Sequence, residues 1–247
     1  MTDERTVYLL VPLYNEEDNI TLLHKNITSV CPAYKKFFVF VDDHSSDKTA
    51  ETVKHLFARE NFHLITKDKN QGPGDSFNLG FEWILSHSSN PEKDLVITLE
   101  GDNTSDLGIL DTMFLLSLSG YSLVLASVYA QGGGFKDTTF FRKLISFVAN
   151  QMLRFAFDIK VLTLSSFYRI YHVDLIAKIK AKHTPIIEYK GFICMIEILL
   201  KAIRAEAKII EVPMTLKSAE RKGKSKMKII KTSISYIKFL VRNFNKY

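Results

Sequence analysis

Short runs of unbroken apolar residues alternate with amphipathic stretches through the first half of the chain, and this alternation limits what it can fold into. The runs are Thr6 to Pro12, Phe37 to Val41, His63 to Thr66, Leu95 to Leu99 and Leu123 to Val128. Between them, Asp18 to Cys31 places Ile20, Leu23, Ile27 and Val30 on one helical face. Lys48 to Arg59, Asp75 to Leu85 and Leu107 to Leu118 are spaced as helices too. Strands that are apolar throughout need cover on both faces, so the pattern predicts an α/β fold with a parallel sheet between two helical layers. The second half is predicted to hold helices at Thr139 to Phe157 and Phe192 to Arg204, a strand at Lys208 to Pro213, and a last helix from about Lys228.

In such sheets ligands bind beyond the carboxyl ends of the strands, and those ends are polar here. The first strand runs into Pro12-Leu13-Tyr14-Asn15-Glu16, the second into Asp42-Asp43-His44-Ser45-Ser46-Asp47, and the strand ending at Leu99 into Glu100-Gly101-Asp102. Carboxylates gathered at one sheet edge repel one another unless a cation joins them. Hard oxygen donors of this kind suit Mg²⁺ or Mn²⁺ bridging to a diphosphate. Asp47, Asp75 and Asp106 are placed to open helices, and capping accounts for them without chemistry.

A chain of 247 residues with 46% hydrophobic and 24% charged residues builds one substantial core. Cys31 and Cys194 stand far apart among apolar neighbours and read as buried thiols. The opening MTDERTVYLLVPLYNEED reads as a strand rather than a leader, so the sequons at Asn19, Asn26 and Asn103 carry no weight. The uncharged stretch Thr112 to Phe135 is broken by Ser and Gly and reads as helix end, turn and buried strand. The net charge of +6 is concentrated in the tail: ten Lys or Arg and one acid follow Pro213, whereas residues 1–213 hold 23 bases and 26 acids. No nucleic-acid reader motif accompanies that basic tail. Gly223-Lys224-Ser225 lacks the earlier glycine and the leading strand of a phosphate-binding loop.

Taken in order, VPLYNEE, VDDHSSDKT, NQGPGDSFNLG and ITLEGDNTSD resemble the inverting glycosyltransferases of family 2, which have the GT-A fold. Within that family the chain looks most like the dolichol- or polyprenol-phosphate sugar synthases. The likeness continues through FFRKLISFVANQML, SSFYRIY and EVPMTLKSAERKGKSKM, from Val7 to about Met227. It implies a GT-A domain over residues 1–227, and the pattern of the tail itself reads as a basic amphipathic helix over 228–247. It further implies that Pro12, Tyr14, Glu16 and Asp43 hold the nucleoside and that Glu100 and Asp102 bind metal and diphosphate. Arg142, Ser146, Arg221 and Lys226 match positions that meet phosphates of donor or acceptor. The sequence departs from the family at Glu100, where an Asp is usual, at Thr163, where an acid is frequent, and at Ser166 or Phe167, where a Gly is usual.

The expected reaction is metal-dependent, inverting transfer from a GDP- or UDP-sugar to a polyprenyl phosphate. Such an acceptor is already an anion, so cations such as Arg142 and Arg221 would offset repulsion where a hydroxyl acceptor would need a base. For a hydroxyl acceptor the candidate base is Glu197, which stands equally well as the partner of Lys201 four residues on. The final helix carries Ile229, Ile230, Ile234, Ile237, Leu240, Val241 and Phe244 to one side, and Lys228, Lys231, Lys238, Arg242 and Lys246 largely elsewhere. It suits either the surface of an anionic membrane, at its cytoplasmic face, or docking on its own domain. A catalytically dead nucleotide-sugar-binding protein is the remaining alternative.

Overall fold

The computed structural model describes residues 5–223 and 229–243. Its first half alternates β1 (Thr6–Leu13), α1 (Glu17–Thr28), β2 (Lys35–Asp42), α2 (Thr49–Leu56), β3 (Phe62–Thr66), α3 (Pro73–His87), β4 (Leu95–Thr98), α4 (Leu110–Leu118) and β5 (Leu123–Ser127). There follow β6 (Gly134–Lys136), α5 (Phe140–Ala156), β7 (Arg169–His172), α6 (Val173–Lys182), α7 (Cys194–Arg204), β8 (Ile209–Pro213), β9 (Thr215–Lys217) and α8 (Ile229–Asn243).

Side-chain alternation along the strands builds the layers. Tyr8 and Leu10 of β1, with Val39, Val41 and Val96, join the core under α3, α6, α7 and α8. Val7, Leu9, Val11 and Leu13, with Phe38, Phe40, Leu95 and Ile97, join the core under α1, α2 and α4. Each side chain of this size contributes about 1.5–3 kcal/mol when fully buried, and both faces of the sheet are filled. Cys31 and Cys194 are buried free thiols, as expected.

The main sheet runs β3-β2-β1-β4-β7-β5-β8. Its β1, β2, β3 and β4 are mutually parallel, as are β5 and β8, but β7 lies antiparallel between β4 and β5. The strands expected to be parallel run the same way, and the unpredicted β7 makes the sheet mixed. A strand antiparallel to both neighbours leaves those neighbours parallel to each other. The carboxyl ends of β1, β2, β4 and β5 consequently share one edge, and the polar strand exits are gathered there.

Helix α8 packs on the same core through Phe239, whose ring meets Phe157 and Tyr189 edge-on. Of the apolar side expected from the sequence, Leu240 packs on the core while Ile234, Ile237 and Val241 stay exposed, and Phe239, which is not on that side, makes the main contact. Phe244 and Lys246 lie outside the described residues. On α5 an apolar stripe of Phe140, Phe141, Leu144, Phe147, Val148, Met152 and Phe155 is exposed, with Phe155 at 93%. Among the described residues no helix is long and apolar enough to cross a membrane. The stretch from Thr112 resolves into the end of α4, a turn at Gly120 and buried β5, as its Ser and Gly residues suggest.

Candidate active site

The loops after β1 and β2 are knitted together by short polar side chains. Asn15, at a positive φ of 51°, takes Ser45 Oγ on its N–H at 2.8 Å and offers Oδ1 to Ser46 N at 2.7 Å. Asp42 is spent within its own loop, accepting from Ser45 N and Oγ. Asp47 accepts from Thr49 N at 3.0 Å just ahead of α2, although the N-cap position itself falls on Lys48. Pro12, half-exposed Tyr14 and buried Glu16 line the mouth of β1. Gly101 comes close to the same strand exit: a Cβ there would stand 2.6 Å from Leu13 Cδ2 and 3.4 Å from Pro12 O.

Asp43 is buried and held by three donors, namely Gln71 N at 2.7 Å, Gly72 N at 2.7 Å and the Lys67 ammonium at 2.6 Å. Lys67 is itself buried and also meets Asp75 at 2.8 Å. A lysine in that position is stable because two carboxylates replace its water. Asp75, expected as a helix cap, is instead the second arm of this bridge, and the N-cap of α3 is Gly72 at φ 88°. Sequence reasoning missed Lys67, although the signal was present: it is the first residue beyond β3.

At the end of β4, Glu100 accepts from Phe167 N at 3.1 Å and from Ser105 Oγ. Burial, and then the charge of Asp102, pushes its carboxyl above the usual range. Asp102 turns one oxygen to Thr104 Oγ1 at 2.6 Å and the other to the Arg221 guanidinium at 2.5 Å. The loop carrying Arg221 is anchored by Asn19, whose side chain takes Lys222 N at 2.9 Å and gives to Lys222 O at 3.1 Å, while also donating to Glu16 at 2.6 Å. Asn19, one of the sequon residues, is thus a buried structural clamp. Asp106 accepts from Gly108 N at 3.2 Å at the start of the turn before α4, as expected of a cap, and also pairs with Lys217 at 3.0 Å.

The exit of β5 joins the same edge. Ser127 Oγ meets Thr163 Oγ1 at 2.7 Å, and Glu211 of β8 accepts from Leu162 N and Thr163 N at 2.7 and 2.9 Å. Asn150 of α5 is tied to the backbone of Leu162 and Leu164. Thr163 therefore sits in a closed hydrogen-bond cluster that needs no carboxylate of its own. One turn back on α5, Ser146 Oγ accepts from the Tyr129 hydroxyl at 2.9 Å. The Arg142 side chain and all of Lys226 lie outside the described residues.

Glu197 does not join this edge. Its carboxylate is fully buried and accepts from Glu188 N at 2.8 Å, Tyr189 N at 2.9 Å and the buried Lys201 ammonium at 2.6 Å. Every lone pair within reach has a donor, so the candidate base is corrected to a structural ion pair. What it stabilises is the segment 186–190, which Lys201 also holds through Ile186 O at 2.9 Å. That segment abuts the turn beneath Asp43: Gly74 N donates to Lys190 O at 2.8 Å.

Glu100 and Asp102 fit a divalent cation chemically, as two carboxylates whose mutual repulsion is offset at present by a single guanidinium. Among the described residues no group of three or more His, Cys, Asp or Glu could hold a metal. Any ion at this pair would take its remaining donors from a ligand.

Residues 8–180 match the profile of glycosyl transferase family 2. The chain is 25% identical over 226 residues to a polyprenol monophosphomannose synthase of Mycolicibacterium smegmatis, covering 91% of this chain and 81% of that one. It is 27% identical to a dolichol-phosphate mannosyltransferase of Pyrococcus furiosus over 96% of this chain, which spans 63% of that protein's length. In structure it resembles glucosyl-3-phosphoglycerate synthase of Mycobacterium tuberculosis, solved with Mn²⁺, UDP and glucosyl-3-phosphoglycerate. The TM-score is 0.68 at 15% identity, over 98% of this chain and 80% of that one, a likeness of GT-A fold. With the profile match running from β1 through α6, across the edge where the carboxylates gather, the chain belongs to glycosyl transferase family 2 and is a glycosyltransferase.

Proposed function

We propose that this enzyme transfers a sugar from a nucleotide-sugar donor, a GDP- or UDP-sugar, to a polyprenyl phosphate, with inversion and with Mg²⁺ or Mn²⁺. The observation that carries the acceptor is α5: its exposed apolar stripe stands on the same helix as Ser146, whose hydroxyl belongs to the site cluster. A lipid-linked anion has two parts, and this helix offers a surface for each. The relatives named for polyprenol, dolichol and undecaprenyl phosphates support the same class.

In this reading Pro12, Tyr14, Glu16 and Asp43 hold the nucleoside, with Lys67 and the Gln71-Gly72 turn fixing Asp43 in place. Glu100 and Asp102 would hold the ion, which when bound offsets charge developing on the departing diphosphate. Arg221, beside Asp102, faces the phosphates, and Arg142, Ser146 and Lys226 receive the acceptor's phosphate. Because that phosphate is ionised at neutral pH, no base is required, which agrees with Glu197 being committed elsewhere. The protein works at a membrane surface as a peripheral enzyme, with Lys238 and Arg242 of α8 exposed toward anionic lipid and the basic charge of residues 228–247 drawing it there.

The test is transfer from a panel of UDP-, GDP- and other nucleotide sugars to a short-chain polyprenyl phosphate, with Mg²⁺, Mn²⁺ or chelator. Transfer to the phosphate and none to the matching alcohol is expected. Transfer only to a sugar or small-molecule hydroxyl would replace the acceptor class, and tight donor binding without any transfer would mark a binding protein.

A further inference from the structure

Tyr129 has no role in the reading above, yet it is placed beside the group that reading assigns to the acceptor. It follows β5 by two residues and so leaves the sheet at the edge where β4 delivers Glu100. Its backbone is held there by two neighbours: Tyr129 N donates to Thr163 Oγ1 at 3.4 Å, and Ala130 N to Ser127 Oγ at 3.1 Å. Its ring is gripped edge-on by Phe135 and Phe147, at centroid distances of 5.7 and 6.0 Å. The hydroxyl thus has little freedom of direction, and it donates to Ser146 Oγ at 2.9 Å.

A serine hydroxyl has one proton to give and two lone pairs to receive with. When one lone pair is filled by a neighbouring phenol, the oxygen is fixed in place and its own proton remains available for an acceptor. We propose that Tyr129 is a positioning residue for the acceptor: its hydroxyl orients Ser146 as a donor to the anionic phosphate of the incoming polyprenyl phosphate. The proposal rests on the assignment of Ser146 to that phosphate. Half-buried among rings, the phenol is also raised above its ordinary range by desolvation, so it remains a neutral donor at physiological pH. Loss of the phenol should therefore weaken recognition of the phosphate while leaving recognition of the lipid unchanged.

The experiment measures binding of a short-chain polyprenyl phosphate and of the matching polyprenol to wild type, Ser146→Ala, Tyr129→Phe and the double variant, with melting curves for each. A hydrogen bond to a charged group is worth about ten-fold in affinity or more, so Ser146→Ala should lose about ten-fold for the phosphate and nothing for the alcohol. Tyr129→Phe should lose about three-fold or more for the phosphate alone, and the double variant should be no worse than Ser146→Ala. Tyr129→Phe that binds both ligands as wild type does, or that weakens phosphate and alcohol alike, overturns the positioning role. So does a double variant whose losses simply add. If wild type fails to prefer phosphate over alcohol, or Ser146→Ala changes nothing, the acceptor assignment itself fails and this inference with it.

Discussion

Replacing Lys201 by Met removes the ammonium that faces Glu197 in the core beneath the site. Both side chains are fully excluded from solvent, and the nitrogen lies 2.6 Å from Glu197 and 2.9 Å from Ile186 O. Glu197 would keep its two backbone donors, Glu188 N and Tyr189 N, but would become a buried anion without a counter-charge. Breaking a buried pair in this way costs about 3–5 kcal/mol. A chain of this length loses about 2–4 °C per kcal/mol, so the melting temperature should fall by roughly 6–20 °C. Urea denaturation at 25 °C gives the free energy directly, and the double replacement Lys201→Met with Glu197→Met should recover much of it, since no charge is then stranded. At a temperature where the variant remains folded, the donor site should still turn over, with weakened nucleotide affinity because segment 186–190 backs the turn under Asp43. A variant that melts within about 2 °C of wild type yet has lost turnover would refute the structural role and restore Glu197 as a base.

Asp102→Ala should abolish metal-dependent turnover at a stability cost of about 1–2 kcal/mol, because the fold loses a partly exposed ion pair with Arg221 and the bonds from Thr104 but is relieved of a like charge beside Glu100; wild-type rates in excess metal would show the site misassigned. In chelator, Glu100 is raised by burial and by Asp102, so the native state keeps a proton that the unfolded chain releases. Stability should fall as pH rises through that window and stay flatter in Glu100→Gln, and identical slopes in urea titrations over about pH 4–8 would contradict this. Gly74→Ala places a Cβ 1.9 Å from Tyr189 O, a backbone atom that cannot step aside cheaply. It should cost about 1–3 kcal/mol and weaken nucleotide binding, and wild-type nucleotide affinity would separate that turn from the Asp43 pocket. Changing Phe140 and Phe155 to Ser, or Lys238 and Arg242 to Gln, should reduce sedimentation with anionic vesicles, the charge variant only at low salt; unchanged sedimentation would remove the membrane from the reading.

The alternating half of the fold was legible because strands and helices there have separate periods, and each strand exit is announced by an abrupt change from apolar to polar residues. The same rule applied one strand further would have caught Lys67. The antiparallel β7 was not legible: four residues, Arg169 to His172, are too few to show a period, and a wholly buried arginine resembles a loop or a site. Arg169 is satisfied by Ser166 O and Leu164 O of the preceding turn and by the distant Met195 O, carbonyls that side-chain periodicity does not reveal. Helix α6 follows with no break after it, and its apolar positions, Val173, Leu175, Ile176 and Ile179, went unread for that reason. Asp75 carried a correct local signal that a stronger distant charge overrode. In α8 the pattern found an apolar side but left out Phe239, the residue that reaches the rings of Phe157 and Tyr189. The Glu197–Lys201 spacing was legible as a pair; only burial on all sides separates a structural pair from a catalytic acid.

The sheet order also has a consequence for assembly of the chain. Strand β7 occupies the middle of the sheet but is made late, and until residues 169–172 arrive, β4 and β5 each present an inner edge with nothing to pair with. The half β3-β2-β1-β4 is built from segments that precede β7, whereas β5 waits for both of its partners, β7 and then β8 at residues 209–213. Unpaired edges of this apolar composition invite pairing between chains. Completion of the fold is thus governed by one short insertion whose contacts span about seventy residues back to Thr98, a separation that slows closure. A chain stopped before Arg169 should aggregate, and one extended through α6, α7 and β8 to Pro213 should recover solubility, as seen by sedimentation of truncated chains; equal solubility of the two would place the decisive step elsewhere.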